Sequence, residues 1–237
     1  MKNNPIVIIC GEPNSIFSEI LCKSLNNYKS KKPIVVIGSE KLLLKQLKIL
    51  KKKIKFNNIF FKDNKNYNIK LNKINIINVD YNFKRPFEKI SSKSNQYILE
   101  CFKRGILIAK NFKIAGLING PISKKTFLTN KFKGITEFLS NEFKIKDKFA
   151  MLIFNKKISV CPVTTHLPIS KVSKEISKKR IILKSILINN FFNKYFDKKP
   201  NIAVCGLNPH CENFFYKSEE DKIIKPAINF LNKKKLN

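Results

Sequence analysis

The chain has 237 residues, of which 43% are hydrophobic and 11% aromatic, and this composition excludes an intrinsically disordered protein. Its formal net charge of +32 would normally indicate a nucleic-acid or anionic-membrane partner. The lysines are, however, spread along almost the whole chain instead of forming one basic arm. We therefore interpret the charge mainly as lysine placed at solvated positions.

The first residues and the cysteines predict the compartment. The apolar core of the first ten residues is too short for a signal peptide, and no apolar run approaches the ~18 residues that span a bilayer. The six cysteines form no C-x-x-C pair and have no disulfide-framework spacing. We therefore expect a cytoplasmic protein whose cysteines are reduced.

Short runs rich in isoleucine and valine alternate with segments of helical period along the chain. Because most of these runs are continuously apolar, they predict strands that are buried on both faces of a parallel or mixed sheet. The predicted strands are 5–10, 33–37, 74–79, 114–118, 149–154, 157–163 and 201–205.

Three segments, 91–112, 173–196 and 218–235, have the three-and-four spacing of apolar residues that predicts helices. The last of them has acidic residues in its first turn, which complement the helix dipole, and we expect Pro226 to kink it. Alternation of strands and helices predicts a layered α/β fold.

The only two histidines, His166 and His210, each follow a predicted strand by a few residues. Ligands of open α/β sheets bind beyond the carboxyl ends of the strands, so two neighbouring strands would bring both imidazoles into one crevice as divalent-metal ligands. The alternative is that each histidine is a hydrogen-bonded loop residue. A catalytic metal normally has three protein ligands, for which Glu212 is the nearest further candidate. A site of Cys205, His210 and Cys211 has no recognised spacing.

Two glycine turns, 11–15 and 119–126, directly follow predicted strands. Each either presents backbone N–H groups or a lysine to an anion, or is simply a strand-to-helix turn. The sequence contains neither a G-x-G-x-x-G dinucleotide fingerprint nor a G-x-x-x-x-G-K-[ST] phosphate loop.

Six segments follow, in order along nearly the whole chain, the motifs of one enzyme family. The most specific are VTTHLPISKV and GLNPHCE, and the others are GEPNSIFSEI, NGPISKKTF, GITEFLS and EEDKIIKPAI. Together they resemble the 4-hydroxythreonine-4-phosphate dehydrogenase family of pyridoxal phosphate biosynthesis.

The resemblance implies a two-lobed α/β/α fold like that of isocitrate and isopropylmalate dehydrogenases, which bind NAD without a Rossmann fingerprint. We expect residues 1–125 to form the first lobe and residues 126–237 the second. The implied cofactors are NAD, with NADP as the alternative, and a divalent metal that is Zn, Mg, Co or Mn. The implied assembly is a homodimer with its active site at the interface, without a membrane or nucleic-acid partner.

The implied reaction is the NAD-dependent oxidation and decarboxylation of 4-phosphooxy-L-threonine to 3-amino-2-oxopropyl phosphate. By resemblance, His166 and His210 correspond to metal ligands, while Thr136 and Lys124 correspond to substrate contacts. Ile135 stands where the family has a substrate-binding histidine. The resemblance carries over no certain catalytic residue and no contact to the coenzyme.

The sequence also departs from the family pattern. Ser15 and Phe17 replace two glycines, and family members continue past the position of Asn237 with a third metal histidine and residues that hold the substrate phosphate. We therefore expect an incomplete chain with little or no turnover on its own. Two alternatives remain: a non-catalytic remnant that acts as a metal-binding or subunit-interaction module, and a basic nucleic-acid-binding protein.

Overall fold

The computed structural model describes residues 4–60, 68–129, 131–145, 148–207, 211 and 218–234. The chain divides into two compact units, the first ending at Phe132 and the second beginning at Lys133.

The first unit is built on a parallel sheet. In the strand next to the central one, Ile6 pairs with Ile34 on one side and with Gly116 on the other. Continuous isoleucine and valine runs suit strands that are covered on both faces, and every residue of the central strand Ile34–Gly38 is buried. The strands are β1 (Ile6–Ile9), β2 (Ile34–Gly38), β3 (Phe56–Asn58), β4 (Ile74–Asn78) and β5 (Gly116–Asn119), in the order β3-β4-β2-β1-β5.

Helices pack on this sheet. Gly105 lets one of them approach β1, because a Cβ at this position would lie 2.6 Å from Cδ1 of Ile9. The helices are α1 (Phe17–Asn26), α2 (Glu40–Ile49) and α3 (Asn95–Asn111), with a 3₁₀ turn at Ser92–Ser94 and a π-helical turn at Lys124–Leu128. The sequence predicted α3 but not α1 or α2, and the α/β class that it predicted is confirmed.

In the part of the chain that the structure describes, the second unit is helical. Its core is small and centres on Ile181, Ile224 and Ala227. Its elements are α4 (Ile135–Glu142), α5 (Ile169–Glu175), α6 (Lys178–Phe196), a π-helical turn at Glu220–Ile224 and α7 (Lys225–Lys233).

Three strand predictions in this unit were wrong. Residues 149–154 and 157–163 form no ladder beyond a single antiparallel bridge between Ile153 and Val160, and residues 201–205 form no strand. The side chains of Ile158 and Val160 are 75% and 53% exposed, so these apolar runs have neither the burial nor the paired neighbour that a strand requires.

Two helix predictions also needed correction. The predicted helix 173–196 is two helices, because Ser177 caps α6 by accepting a hydrogen bond from the backbone N–H of Arg180. The predicted helix 218–235 is a π-helical turn followed by α7, and Pro226 lies in the first turn of α7. Residues 219–233 are continuously helical, and the π-helical turn just before Pro226 is a departure from the regular hydrogen-bond ladder, at the position where proline was expected to disturb the helix.

Candidate functional site

His166 stands in a left-handed turn before α5, with a φ of 56°. This conformation costs a non-glycine residue roughly 1–2 kcal/mol, although histidine adopts it more often than most. The imidazole is exposed. The strand that was expected before His166 does not form, so this turn, and not a strand end, sets the position of the side chain.

Gly134, the residue before α4, lies directly against the imidazole. A Cβ at this position would be 3.2 Å from Nε2 of His166 and 3.0 Å from Oε2 of Glu137. Both atoms therefore face the same small space above the Gly134 backbone. The φ of Gly134 is −166°, which any residue can adopt, so a larger residue would be opposed here by the two side chains and not by the backbone conformation.

Glu137 links α4 to the turn that carries His166. Its Oε1 accepts a hydrogen bond from Oγ1 of Thr165 at 3.1 Å. Its Oε2 is buried and has no hydrogen-bond partner among the described residues. A buried acceptor without a donor costs about 1–3 kcal/mol, so this oxygen favours a cation or a proton donor beside it.

The structure places the other predicted site residues as follows. Ile135 and Thr136 are the first two residues of α4 and are half-buried, so Thr136 adjoins Glu137 in the same helical turn. Lys124 is exposed and begins the π-helical turn of the first unit. The second predicted metal ligand, His210, lies outside the described residues, as does Glu212.

The described residues contain no group of three or more His, Cys, Asp and Glu side chains that could hold a divalent metal. The two donors that do face one space, the Nε2 of His166 and the partnerless Oε2 of Glu137, are an imidazole nitrogen and a carboxylate oxygen, and both bind divalent ions. The donor chemistry therefore fits, with His210 as the further ligand that the sequence predicts.

Glu137, Gly134 and Thr165 were not predicted as site residues. All three belong to quoted motifs, G-I-T-E-F and V-T-T-H-L, which the sequence separates by almost 30 positions. They are identified by the left-handed turn at His166 and by the buried carboxylate oxygen of Glu137. Both features can be seen only in the three-dimensional structure.

The two glycine turns of the first unit pack against each other at the carboxyl edge of the sheet. Gly11 has a φ of 73°, and a Cβ there would lie 2.3 Å from the backbone oxygen of Pro121. A Cβ on Gly120 would lie 2.2 Å from the backbone oxygen of Cys10. The backbone N–H of Glu12 donates to the oxygen of Pro121 at 2.8 Å. These glycines therefore allow the backbones of the two turns to come into close contact.

Buried thiols of the first unit are packing groups and not nucleophiles. Burial raises the pKa of Cys10 well above its ordinary value and raises the pKa of Cys101 to about 12. Burial also raises the pKa of Tyr97, which accepts a hydrogen bond from the backbone N–H of Ser39. Thiols that stay protonated at neutral pH are poor nucleophiles and poor metal ligands.

The first unit has a parallel sheet with tight turns at its carboxyl edge, and the second unit has an imidazole and a carboxylate that face one space. Both features are typical of α/β enzymes. Within the described residues, no helix is long and apolar enough to cross a membrane.

The family described as pyridoxal phosphate biosynthetic protein PdxA matches residues 29–237, and the chain belongs to this family. The family prediction made from the motifs is thereby confirmed.

Curated relatives agree with this membership. The 4-hydroxythreonine-4-phosphate dehydrogenase of Sulfurihydrogenibium sp. (strain YO3AOP1) is 34% identical over 235 residues, which is 95% of this chain and 70% of the relative. A relative from Oceanobacillus iheyensis, provisionally named a D-threonate 4-phosphate dehydrogenase, is 30% identical over 237 residues, which is 96% of this chain and 70% of the relative.

Solved structures share the fold. The crystal structure of 4-hydroxythreonine-4-phosphate dehydrogenase from Klebsiella pneumoniae has a TM-score of 0.82 and 24% sequence identity. The match covers 99% of this chain and 73% of that chain.

Proposed function

We propose that the chain is a dehydrogenase of pyridoxal phosphate biosynthesis that acts on a small phosphorylated substrate, 4-phosphooxy-L-threonine. The observation that supports this most strongly is that two motif segments of the family meet in the second unit. His166 of V-T-T-H-L-P and Glu137 of G-I-T-E-F face one space above Gly134. Membership of the family favours this function over a non-catalytic remnant.

In this proposal, His166 and His210 hold a divalent metal, and Thr136 and Lys124 contact the substrate. Thr136 directly precedes Glu137 in the first turn of α4. Lys124 is exposed and carries a positive charge that suits a phosphorylated substrate. Ile135, where the family has a histidine, offers the substrate only apolar contact.

The reaction removes a hydride from the alcohol carbon and a proton from its hydroxyl, and the resulting β-keto acid loses CO₂. When bound, a divalent cation supplies Lewis acidity for the developing negative charge, and the nicotinamide coenzyme accepts the hydride. The chain itself has three tasks. Its His166 imidazole presents a nitrogen lone pair, Thr165 and Glu137 fix the turn that carries this imidazole, and Thr136 orients the substrate.

The coenzyme and the reaction are tested together. Metal-free chain is supplied with 4-phosphooxy-L-threonine, a divalent cation, and either NAD or NADP, and coenzyme reduction and CO₂ release are measured. We expect reduction of NAD in preference to NADP, with one CO₂ released per coenzyme reduced. Coenzyme reduction without CO₂ would contradict the proposed decarboxylation.

A second substrate, D-threonate 4-phosphate, follows from the name of the Oceanobacillus relative. It carries a hydroxyl in place of the amino group of 4-phosphooxy-L-threonine. Comparing kcat/KM for the two compounds decides between them, and we expect the amino compound to be preferred because most of the named relatives are 4-hydroxythreonine-4-phosphate dehydrogenases.

We also propose that the chain forms a homodimer through its second unit. Apolar side chains that normally require burial are exposed there, which is typical of an interaction surface. Light scattering should give twice the chain mass, and Ile158→Lys should shift the protein toward monomer. The exposed residues are Met151 (39%), Ile153 (57%), Phe154 (46%), Ile158 (75%) and Val160 (53%).

The cysteines support a cytoplasmic location. No disulfide joins the described cysteines, three of which are buried in the first unit. Proteins of reducing compartments normally lack disulfides. Fractionation of the native cells should find the protein with cytoplasmic enzymes.

A further inference from the structure

The two oxygens of Glu137 are in different situations. Oε1 accepts a hydrogen bond from Thr165, the residue directly before His166. Oε2 is buried without a hydrogen-bond partner among the described residues, and it faces the same space as Nε2 of His166. One carboxylate therefore contacts both the turn that carries the imidazole and the space that the imidazole faces.

We infer that Glu137 is the positioning residue of His166: Oε1 fixes the turn through Thr165, and Oε2 places a negative charge beside the cation that His166 binds. This inference rests on the proposed function, in which His166 is a metal ligand. Carboxylates that orient a histidine ligand and compensate the charge of its metal are a recurring feature of metal sites.

A carboxylate with a purely structural role looks different, as Glu12 of the first unit shows. Glu12 is 1% exposed, and both of its oxygens have donors. Its Oε2 accepts from Oγ of Ser94 at 2.9 Å, and its Oε1 accepts from the backbone N–H of Asn14 at 3.2 Å. In the folded chain, both carboxylate oxygens of Glu12 thus accept a hydrogen bond, whereas only one oxygen of Glu137 does.

Gly134 supports the same inference. Any side chain there would crowd both Oε2 of Glu137 and Nε2 of His166, because its Cβ would lie 3.0 and 3.2 Å from these atoms. The backbone conformation at Gly134 does not demand glycine, so the glycine keeps this space open.

The test measures the affinity of the metal-free chain for Zn²⁺ alone, by competition with a chromogenic chelator. The variants are Glu137→Gln, which keeps the shape and removes the charge, and Thr165→Val, which removes the donor. Thr165→Ser restores the donor. Glu142→Gln, at the other end of α4, is the matched control, and His166→Ala removes the ligand itself. Thermal unfolding of each variant shows whether it folds.

We expect Glu137→Gln and Thr165→Val to weaken Zn²⁺ affinity by about 10–100-fold, the usual loss for a group that supports a metal ligand. Thr165→Ser and Glu142→Gln should bind as the wild type does. A purely structural role would move the unfolding midpoint and leave the affinity of the folded variants unchanged.

Two results separate failure of this inference from failure of the proposed function. Wild-type affinity in folded Glu137→Gln, together with lost affinity in His166→Ala, overturns the positioning role alone. Wild-type affinity in His166→Ala overturns the metal role of His166 itself, and the inference with it. If Glu137→Gln does not fold, equal affinities of Thr165→Val and Thr165→Ser overturn the inference.

Discussion

The two units differ in how they use apolar residues. Of the 29 buried hydrophobic side chains among the described residues, 24 lie in the first unit and five in the second. The first unit encloses a five-stranded sheet between helices, whereas the second exposes isoleucine, valine and phenylalanine along residues 151–160. The first unit therefore holds most of the buried apolar core, although it too has exposed apolar side chains, and the second unit carries the candidate site and the candidate dimer surface.

This difference shows what each unit needs from outside itself. The buried carboxylate of the first unit, Glu12, finds hydrogen-bond partners for both oxygens within that unit, although three neutral side-chain oxygens there lack a partner among the described residues. In the second unit, Glu137 keeps a buried oxygen without a described partner, and Phe154 stays 46% exposed in an aromatic cluster. Ligand and partner binding should therefore stabilise the second unit more than the first.

The largest expected contrast is between a buried and an exposed phenylalanine. Phe102 is fully buried in the first unit and stacks on Phe127 at a centroid distance of 5.9 Å. Phe102→Ala should lower the free energy of unfolding by about 3–5 kcal/mol, since it leaves a cavity. Phe154→Ala in the second unit should change it by less than about 1 kcal/mol in the monomer. Urea denaturation measures both, and equal losses would contradict the comparison.

Alkaline pH should destabilise the first unit. Cys101 has an ordinary pKa of 9.0 and a folded pKa of about 12, so its contribution to stability is complete below pH 9.0 and is lost as the pH rises toward about 12. The loss from this thiol is about 1.4 kcal/mol per pH unit in that range, because only the unfolded state releases the proton. Burial of Cys10 and Tyr97 adds losses of the same sign.

Urea denaturation at a series of pH values checks this prediction. Cys101→Ala should lose stability less steeply than the wild type above pH 9.0, although it starts from a lower value at neutral pH. If the free energy of unfolding falls equally steeply with pH in both proteins, Cys101 is not the source of the loss.

A smaller contrast separates two glycines of the first unit. Gly120→Ala would bring a Cβ to 2.2 Å from a backbone oxygen of the neighbouring turn, and we expect a loss of about 1–3 kcal/mol. At Gly116 a Cβ would meet nothing within 4 Å, so Gly116→Ala is the matched control and should be nearly neutral. Thermal unfolding of both variants tests whether packing of the two turns requires the glycine.

The smallest contrast lies in two helix caps. Ser39 caps α2 and is buried, and Ser177 caps α6 and is half-buried, each accepting a backbone hydrogen bond at 3.3 Å. Replacement of either serine by alanine should cost about 1 kcal/mol. The loss at Ser39 should be the larger, because the N–H of Leu42 is then left buried without an acceptor. The reverse order would contradict the account.

Much of the first unit was predictable because its sequence pattern and its burial agree. The run at 33–37 is continuously apolar, the run at 74–79 is apolar except for two asparagines, and they form the strands β2 and β4. Helices α1 and α2 were missed, although Ser39 and Glu40 give α2 a capping serine and an acidic first turn.

The second unit was harder to predict for a physical reason. An apolar run indicates surface that tends to be buried, but it does not say whether the same chain supplies the cover. The run 157–163 therefore predicts a strand, whereas in the structure Ile158 is 75% exposed and the run forms none. At the site, the motifs identified His166, whereas the role of Glu137 depends on a contact with Thr165 across 28 positions, which one sequence does not reveal.

Reduction of NAD by the chain and by His166→Ala tests the central claim most directly. The chain is used in amounts comparable to the substrate, so that turnover well below the typical 1–10³ s⁻¹ is still detected. The account predicts NADH that requires both 4-phosphooxy-L-threonine and a divalent cation, and its loss in His166→Ala. Equal NADH from both proteins, or NADH formed without the substrate or without the cation, would contradict it.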